Sequence, residues 1–382
     1  MFKRIRESIA DYIRETDKVL LILCIAATCY GAVIVLSATF ISSGYSKFFV
    51  QLTGLALGVA AAIVLSLFRY QNFLRFWYLF AGVALTLVAL TFFIGYAPAG
   101  TDDKAWIALP MGLTFQPSEL LKIAFVITFT KHVCSIKEQD VKKLRHILLL
   151  CVHGAFPVLL IHLQGDDGSA MVLGFIFLAM FFAAGIPGRY FAITGGLAVP
   201  AVAAMWFFVL NTSQKERVLA LLYPDRYAAI VYQQLRGQTA IGSGGLFGYG
   251  LFNGPYVQGG KIPLGYNDFI FASCGEELGF LGCMAILILL LAICMRILWV
   301  GRRSGDRAGQ IICAGVFGMI ASQAVINIGM CLFLLPVIGV TLPFFSAGGT
   351  SVACLFLGIG LVLSVHKNRN KRVLSLHDSF DV

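Results

Sequence analysis

Long apolar runs, separated by short polar turns, dominate the hydropathy pattern of this chain. A run of roughly 17 to 25 apolar residues forms an α-helix long enough to cross about 30 Å of hydrocarbon. The fourth and tenth runs are somewhat shorter than the others. The pattern predicts ten membrane-spanning helices, over residues 19–38, 48–67, 73–94, 118–133, 147–163, 168–184, 190–210, 269–298, 310–335 and 351–365.

Composition agrees with this pattern and excludes a soluble domain. Hydrophobic residues make up 59% of the 382 positions and charged residues only 13%, and the mean hydropathy is +0.85. That much apolar surface exceeds what one soluble core can bury. The ten cysteines lie in or beside apolar runs without metal-ligand spacing, so they read as small buried hydrophobes and imply no disulfide framework. The predicted fold class is an all-α polytopic membrane protein in a single domain, residues 1–382.

The basic residues predict the orientation of the helices. With the N-terminus in the cytoplasm, 21 of the 29 Lys and Arg residues lie in inner loops and tails and seven in outer loops. Such an excess is the positive-inside signal, so both termini are predicted to be cytoplasmic, in segments 1–18 and 366–382. The net charge of +10 is therefore mostly a topology signal. Because the basic residues form no patch, nucleic acid is not an expected partner.

One loop is much longer than the rest and is predicted to lie outside the cytoplasm. It joins the seventh and eighth helices over residues 211–267. Loops of this length are usually functional or disordered. Residues 214–223 have the pattern of a short amphipathic helix lying in the membrane interface, for which simple anchoring is the plainest role.

The stretch 241–278 changes character more abruptly than any other. A glycine-rich loop is followed by an apolar helix, and Asp268 stands at the junction. Glycines allow backbone to approach a ligand closely, and an acidic residue at the mouth of a spanning helix often marks a functional site. The alternative is that Asp268 only caps the helix. Glu276 and Glu277 lie about two turns deeper, and we expect them to bond neighbouring helices.

Three further segments place polar groups where they are costly. Glu119 and Lys122 share a helical face in the fourth span, where they either pair to tie helices together or line a substrate path. The turn 164–169 carries Asp166 at a helix start, where helix capping is an equally good explanation. The segment 341–351 contains a proline and two glycines and could offer backbone N–H groups to an anion.

Taken together, these segments resemble the SEDS family (shape, elongation, division and sporulation), and the resemblance runs almost from end to end. The ten-span layout and the order of the motifs both match the family. The motifs are Trp106-Ile107, Gln116-Pro117-Ser118-Glu119 with Lys122, Gln164-x-Asp166-x-Gly168-Ser169, residues 240–246 (AIGSGGL), residues 268–272 (DFIFA) with Glu276-Glu277-x-Gly279, and Leu342-Pro343-Phe344-x-Ser346-x-Gly348-Gly349.

The resemblance implies a peptidoglycan glycosyltransferase that polymerises lipid II at the outer face of the bacterial plasma membrane. Asp268 corresponds to the family's essential aspartate, expected here to act as general base or metal-assisted activator of the acceptor hydroxyl. A divalent cation, Mg²⁺ or Mn²⁺, would balance the lipid pyrophosphate, and no organic cofactor is expected. The implied partners are a class B penicillin-binding protein, undecaprenyl lipid, and elongation or division proteins.

The remaining family motifs predict the substrate-binding residues. Glu119 and Lys122 would shape the field of the cavity, and Arg217 and Arg236 would meet pyrophosphate. Glu276 and Glu277 are expected to be structural. The other predicted cavity residues are Trp106, Gln116, Ser118, Asp166, Ser243, Gly244, Gly245, Ser346, Gly348 and Gly349.

Some positions depart from the family pattern, and two other functions fit the sequence. Gly165 stands where proline is common, Ala105 precedes Trp106 where arginine is common, and Ala347 replaces a tyrosine. The short tails favour the RodA group slightly over the division and sporulation members. A lipid II flippase would also suit ten spans with intramembrane charges, although its polar groups should run through the full depth of a cavity. A non-catalytic activator of a penicillin-binding protein is the third possibility.

Overall fold

The computed structural model describes residues 15–97, 104–108, 114–190, 196 and 205–369. Within these ranges the regular secondary structure consists of α-helices, one small hairpin and a π-helical turn at Met205–Val209, and turns and loops connect them. The helices are α1 (Lys18–Ser43), α2 (Ser46–Leu67), α3 (Tyr70–Arg75), α4 (Trp77–Ile94), α5 (Pro117–Ser135), α6 (Leu144–His162), α7 (Asp167–Ala183), α8 (Thr212–Leu222), α9 (Ala228–Ser243), α10 (Ile270–Arg302), α11 (Arg307–Cys331) and α12 (Gly349–Asn368).

Seven of these helices are long and apolar enough to cross a membrane: α1, α2, α4, α6, α10, α11 and α12. α7 is apolar but has only 17 residues, and α5 is a 19-residue helix that carries Glu119, Lys122 and Lys131. The all-α polytopic membrane class is therefore confirmed. Nine of the ten predicted spans overlap described helices, whereas most of the seventh, 190–210, lies outside the described residues.

The ends of the predicted spans needed correction in three places. The third, 73–94, is broken at Phe76, so that α3 and α4 are separate helices. The eighth continues beyond residue 298 to Arg302. The ninth ends at Cys331 instead of 335, because Phe333 adopts a φ of +62° and turns the chain out of the helix. An apolar run marks lipid or core contact and does not itself record where the backbone turns.

α5 lies inside the bundle, with 14 of its 19 residues buried. Around it, small residues allow the helices to approach closely, as is typical of membrane bundles. A Cβ atom on Gly54 of α2 would lie 2.4 Å from the carbonyl oxygen of Gly349 in α12, and one on Gly31 would lie 2.5 Å from Phe345 Cα. These contacts bring α1 and α2 against the segment that precedes α12.

The long loop 211–267 contains two helices. α8 begins with a capping box, in which the Asn211 and Gln214 side chains each bond the other's backbone N–H, and it confirms the predicted amphipathic helix with its start moved to Thr212. α9 was missed, because its residues Ala228–Ser243 include polar Gln and Thr among the apolar positions and lack a long apolar run.

The hairpin lies in the connection between α4 and α5. β1 (Ile107–Ala108) pairs antiparallel with β2 (Thr114–Phe115), and Trp106 forms a bridge with Tyr96. The Thr350 hydroxyl donates to the carbonyl oxygen of Thr114 at 2.9 Å, which ties the hairpin to the start of α12. The hairpin thus adjoins the segment before α12, which lies beside Asp268.

Candidate active site

The backbone at Asp268 is held by two side chains of α11. Asn327 Nδ2 donates to the Asp268 carbonyl oxygen at 2.8 Å and to the Val340 oxygen at 2.7 Å, and Cys331 Sγ lies 3.6 Å from the Asp268 oxygen. The helix that follows begins at Ile270, with Phe269 as its N-cap residue and no side-chain cap. The alternative that Asp268 serves as the helix cap is therefore wrong.

The segment before α12 holds the residues on the other side of Asp268. The Ser346 hydroxyl donates to the Asn267 carbonyl oxygen at 2.7 Å, and the Ala347 N–H donates to the Tyr266 oxygen at 2.9 Å. Leu264 and Phe344, one in each segment, have φ values of +54° and +70°, a region that L-residues other than glycine rarely adopt. Strained backbone of this kind concentrates at functional sites.

The Asp268 carboxylate is buried and lacks a protein partner. The residue is 7% exposed, and among the described residues no donor lies within hydrogen-bond distance of its carboxylate. Burial raises the pKa of Asp268 from its ordinary value to about 6. A carboxylate in this state is a stronger base than one on the surface, and it is still mostly ionised at neutral pH.

Segment 341–351, predicted to offer backbone N–H groups to an anion, uses several of them within the protein. The N–H groups of Phe345 and Ser346 donate to the Leu342 oxygen, and that of Ala347 donates to Tyr266. The Gly348 N–H donates to Gln51 Oε1 at 3.1 Å, while Gln51 Nε2 donates to the Ser346 oxygen at 3.0 Å. These bonds make the segment a support for Asp268. Among the described residues the N–H groups of Gly349, Thr350 and Ser351 at the start of α12 have no protein acceptor, so the anion site stays a prediction.

The glycine-rich loop approaches protein backbone, whereas the sequence predicted that it would approach a ligand. α10 is kinked at Gly279, where φ is +67° and ψ is −161°. Segment 245–250 fills the break: the Phe280 N–H donates to the Gly245 oxygen at 2.8 Å, and the Gly250 N–H donates to the Glu277 oxygen at 2.8 Å. A Cβ atom on Gly244 would lie 2.0 Å from the Gly275 oxygen, so only glycine fits there.

Ser243 is the last residue of α9 and directly precedes Gly244, which contacts α10. Its hydroxyl donates to the Ala240 oxygen at 2.8 Å within α9. Gly245 has a φ of +55°, which turns the chain from α9 into the segment at the kink. The motif at 243–245 therefore shapes the scaffold behind Asp268.

Glu276 and Glu277 bond the long loop, which corrects the expectation that they would bond neighbouring helices. Glu276 accepts from the backbone N–H groups of Tyr256 and Val257, both at 2.7 Å. Glu277 accepts from Gln258 Nε2 at 2.7 Å. Both glutamates are fully buried. Their structural role is the one expected, but the partner is the loop that folds back over α10.

A second polar cluster joins the start of α5 to the start of α7. Gln116 Nε2 and the Ser118 hydroxyl donate to Asp166 Oδ2 at 2.6 and 3.1 Å, and the Ser169 N–H donates to Asp166 Oδ1 at 2.9 Å. Asp166 is thus the N-cap of α7, as the capping interpretation has it. The structure brings together three predicted site residues, Gln116, Ser118 and Asp166.

Glu119 and Lys122 form the predicted pair, with Lys122 Nζ 2.7 Å from Glu119 Oε1. Both side chains are buried within α5, 6% and 1% exposed respectively. A buried ion pair needs close geometry to offset the loss of hydration, and this contact supplies it. Glu119 directly follows Ser118, which bonds Asp166, and Lys122 lies one turn deeper in the helix.

The remaining predicted residues lie at the edges of the loops. Trp106 is half-buried in the hairpin, where its carbonyl oxygen accepts from the Tyr96 N–H at 2.8 Å. Arg217 Nη1 donates to the Val337 oxygen at 3.4 Å, and the Arg236 guanidinium lies 5.1 Å from the centre of the Tyr232 ring. Among the described residues neither arginine has a carboxylate partner.

Segment 336–348 connects the two polar clusters. At one end, a Cβ atom on Gly168 of α7 would lie 2.4 Å from the Ile338 oxygen. Farther along, the Val340 oxygen shares the Asn327 amide with Asp268. The Asp166 cluster and Asp268 are thus attached to the same segment.

Several residues that position the site were missed in the sequence. Asn327 and Gln51 hold the backbone around Asp268, and Gln214 donates to Asp167 Oδ2, which joins α8 to α7. Asn327 and Gln51 are amides inside long apolar runs, and that signal could have identified them. Gln214 lies in an ordinary polar segment and carries no such signal.

A divalent cation would depend on ligands from the substrate. Within the described ranges no group of three His, Cys, Asp or Glu side chains could hold a metal. The Asn267 Oδ1 atom, next to Asp268, is buried without a hydrogen-bond partner. One carboxylate and one amide oxygen fit the binding mode of Mg²⁺, which usually takes one or two protein ligands together with substrate phosphates and water.

Comparison with known proteins identifies the family. The model described as "Cell cycle protein", for FtsW, RodA and SpoVE, matches residues 17–371. The chain is 30% identical to the peptidoglycan glycosyltransferase MrdB of Escherichia coli K12 over 359 residues, 92% of this chain and 94% of MrdB. It is 31% identical to the probable peptidoglycan glycosyltransferase FtsW of Geobacter metallireducens, covering 92% of this chain and 95% of FtsW.

Solved structures give the same result. A structure described as "Structural coordination of polymerization and crosslinking by a peptidoglycan synthase complex" is similar with a TM-score of 0.81 and 28% identity, covering 93% of this chain and 99% of that one. The rod shape determining protein RodA of Thermus thermophilus gives 0.69 and 25%, covering 93% and 98%. The family model and these relatives show that the chain belongs to the FtsW/RodA/SpoVE family, the SEDS proteins.

Proposed function

We propose that this protein is a peptidoglycan glycosyltransferase that polymerises lipid II into glycan strands for cell-wall synthesis. The observation that carries the site assignment is the Asp268 carboxylate, which is buried and has no hydrogen-bond partner among the described residues, while α11 and the segment before α12 hold the backbone around it. Related proteins of nearly the same length carry the name peptidoglycan glycosyltransferase. A group held this firmly and left unbonded is available for substrate.

Asp268 acts as the general base in this proposal. It takes the proton from the acceptor sugar's 4-hydroxyl while that oxygen attacks the anomeric carbon of the donor. The bond from the anomeric carbon to the pyrophosphate oxygen breaks, and the pyrophosphate leaves with the electron pair. One displacement inverts an α-linked donor to a β-linked product and needs no second carboxylate as nucleophile.

The other predicted residues surround this reaction. Arg217 and Arg236, which have no carboxylate partner among the described residues, would meet the pyrophosphate in this proposal. The Asp166 cluster and the Glu119–Lys122 pair shape the cavity, together with Trp106, Ser346, Gly348 and Gly349. Asp268 and Asn267 would hold a Mg²⁺ or Mn²⁺ ion, which would supply charge neutralisation of the leaving group.

Ten membrane-spanning helices with both termini in the cytoplasm complete the proposal. The excess of Lys and Arg in the inner segments supports it, and so does the overlap of nine predicted spans with helices. Asp268 then lies at the outer face of the bacterial plasma membrane. A class B penicillin-binding protein from the elongation or division machinery is the proposed partner, and the peptidoglycan synthase complex among the similar structures supports this choice.

The buried charges favour catalysis over transport. A flippase needs polar groups along the full depth of its path, whereas Glu276, Glu277, Glu119 and Lys122 are each bonded to protein groups. The test is polymerisation of purified lipid II with Mg²⁺ or Mn²⁺, with and without the penicillin-binding protein. We expect wild-type protein to make glycan strands and Asp268→Ala to make none. Lipid translocation in vesicles without polymerisation would instead support a flippase, and activation of the partner alone a scaffold.

A further inference from the structure

A small cavity of about 170 Å³, lined by both apolar and polar groups, lies beside the segment that carries Asp268. Its walls come from the last turn of α1, including Ile41 and Ser42, and from the end of the long loop, including Gln258, Gly260 and Tyr266. At about 30 Å³ per water molecule, the volume equals that of five or six waters, which is the scale of a single sugar ring.

The polar groups of this cavity retain hydrogen-bonding capacity. Gln258 Nε2 donates to Glu277 Oε1 at 2.7 Å and to the Ser37 oxygen at 3.1 Å, so the amide is fixed and its Oε1 atom remains an acceptor. The Ser42 hydroxyl donates to the Thr39 oxygen at 3.2 Å and can still accept. Among the described residues the Tyr266 hydroxyl has no partner, so it can both donate and accept.

The backbone of the wall is closely fitted. A Cβ atom on Gly265 would lie 2.8 Å from Ser273 Oγ, so a larger residue would push the wall away from α10. Leu264, with its φ of +54°, turns the chain immediately before it. The cavity is therefore preformed by a strained segment, as binding sites often are.

The aromatic ring of Tyr266 lines the cavity, and a cation lies close to that ring. Lys47 Nζ lies 5.6 Å from the centre of the Tyr266 ring, and Lys47 is exposed without a carboxylate partner in the described part of the chain. Sugars present alternating hydroxyls and an apolar ring face, which suit acceptors, donors and an aromatic surface. A lysine beside them suits a carboxylate carried by the sugar's substituent.

We infer that this cavity is a carbohydrate subsite, which holds one acid-substituted sugar ring of the glycan next to the reacting sugars. The inference rests on the proposed function. Tyr266 is two residues from Asp268 and is held by the Ala347 N–H, so a ring bound there is fixed relative to the proposed base. The ring comes from the growing strand or from the incoming lipid II, because both carry the same chemistry.

The test compares Tyr266→Ala, Tyr266→Phe and Lys47→Met with Tyr223→Ala, which removes an exposed tyrosine from the linker between α8 and α9. The full chain, with its penicillin-binding protein, is assayed with lipid II. We expect Tyr266→Ala and Lys47→Met to raise KM about tenfold, with kcat within a factor of two. Tyr266→Phe should retain most of the affinity because it keeps the ring. Tyr223→Ala should match wild type.

A second measurement does not require turnover. Binding of a soluble disaccharide-peptide fragment of peptidoglycan to the detergent-solubilised chain is followed by saturation-transfer NMR. Wild type and Asp268→Ala should bind it, and Tyr266→Ala should bind it about tenfold more weakly. If wild type binds the fragment about tenfold more tightly than Tyr266→Ala but makes no polymer, the proposed function fails, and only carbohydrate binding at Tyr266 is supported.

Product length separates the two sources of the ring. Shorter strands from Tyr266→Ala at saturating lipid II indicate that the subsite holds the growing strand. A raised KM with unchanged strand length indicates that it holds the incoming lipid II. If Tyr266→Ala and Lys47→Met match Tyr223→Ala in KM, strand length and fragment binding, while wild type polymerises, the subsite is overturned and the proposed function is unaffected.

Discussion

Asp268 and Glu276 are buried carboxylates eight residues apart, yet their surroundings differ completely. Glu276 accepts two backbone hydrogen bonds of 2.7 Å from the long loop. The Asp268 carboxylate has no donor among the described residues, although its own backbone is held by α11 and its neighbours by the segment before α12. Bonds that end on a side chain make that side chain structural, whereas bonds that fix its backbone leave its chemistry free.

The same contrast separates Asp268 from the acidic residues of α5 and α7. Glu119 is paired with Lys122, and Asp166 accepts three hydrogen bonds while it caps α7. These carboxylates hold helices together. The contrast therefore predicts two classes of variant: loss of activity with an intact fold at Asp268, and loss of stability elsewhere.

The largest effect is expected for Asp268→Asn. The amide cannot take the acceptor's proton, so we expect polymerisation to fall by about 10³-fold. Stability should hold or rise, because burial disfavours the ionised carboxyl by up to about 3 kcal/mol at pH 7. Activity with lipid II and thermal unfolding in detergent are measured on the same preparation. If Asp268→Asn retains activity, or unfolds at a lower temperature than wild type, Asp268 is not a purely catalytic residue.

Lys122→Met should be the most destabilising of the structural variants. It leaves Glu119 buried without its partner, at a cost of about 3–5 kcal/mol in the free energy of unfolding. The double variant Glu119→Gln with Lys122→Met should recover much of this loss, because both charges are gone. Thermal unfolding of the two single variants and the double variant measures the coupling. If wild type, both single variants and the double variant unfold at the same temperature, the Glu119–Lys122 pair does not stabilise the fold.

Glu276→Gln should lower stability by about 2–3 kcal/mol. The glutamine can keep one of the two backbone hydrogen bonds, but its amide group then faces the other N–H. The exposed Glu138→Gln is the matched control. Thermal unfolding and protease cleavage within 251–267 report the change. A stable Glu276→Gln protein that has lost activity would move Glu276 into the catalytic class.

Ser118→Ala should have the smallest effect, about 1 kcal/mol in stability. Asp166 keeps its bonds from Gln116 and Ser169 when the serine hydroxyl is removed. Polymerisation by this variant should stay within a factor of three of wild type. A loss of a hundredfold would show that the cluster contacts substrate directly.

The sequence alone predicted where most of the helices lie and which two residues form one buried ion pair. Nine of the ten predicted apolar runs overlap described helices, including the seven that are long and apolar enough to cross a membrane. The spacing of Glu119 and Lys122 located their ion pair, because both features depend on local geometry. The break at Phe76, by contrast, has no proline or glycine to mark it.

Partners distant in sequence could not be predicted. The glycines at 244 and 248 looked suited to a ligand, but they pack against the backbone of α10 beside the kink at Gly279. The sequence shows neither the kink nor its contact with these glycines, because the two segments meet only in the folded protein. Likewise, an acidic side chain inside a span is costly whichever element satisfies it, so the sequence did not reveal that the loop bonds Glu276 and Glu277. The resemblance to the SEDS family pointed to Asp268, whereas its lack of a partner emerged from the fold.

The pH dependence of the second-order rate constant kcat/KM for lipid II, which reports the pKa of the base in the free enzyme, tests the central claim most directly. The pKa of Asp268 is raised to about 6, and a general base must be ionised, so the rate should rise with pH up to about 6 and level off above it. Well below pH 6 the rate should fall tenfold per pH unit, while the protein stays folded. A rate that is constant from pH 4.5 to pH 8, or that falls as pH rises through 6, would contradict the assignment of Asp268 as the base.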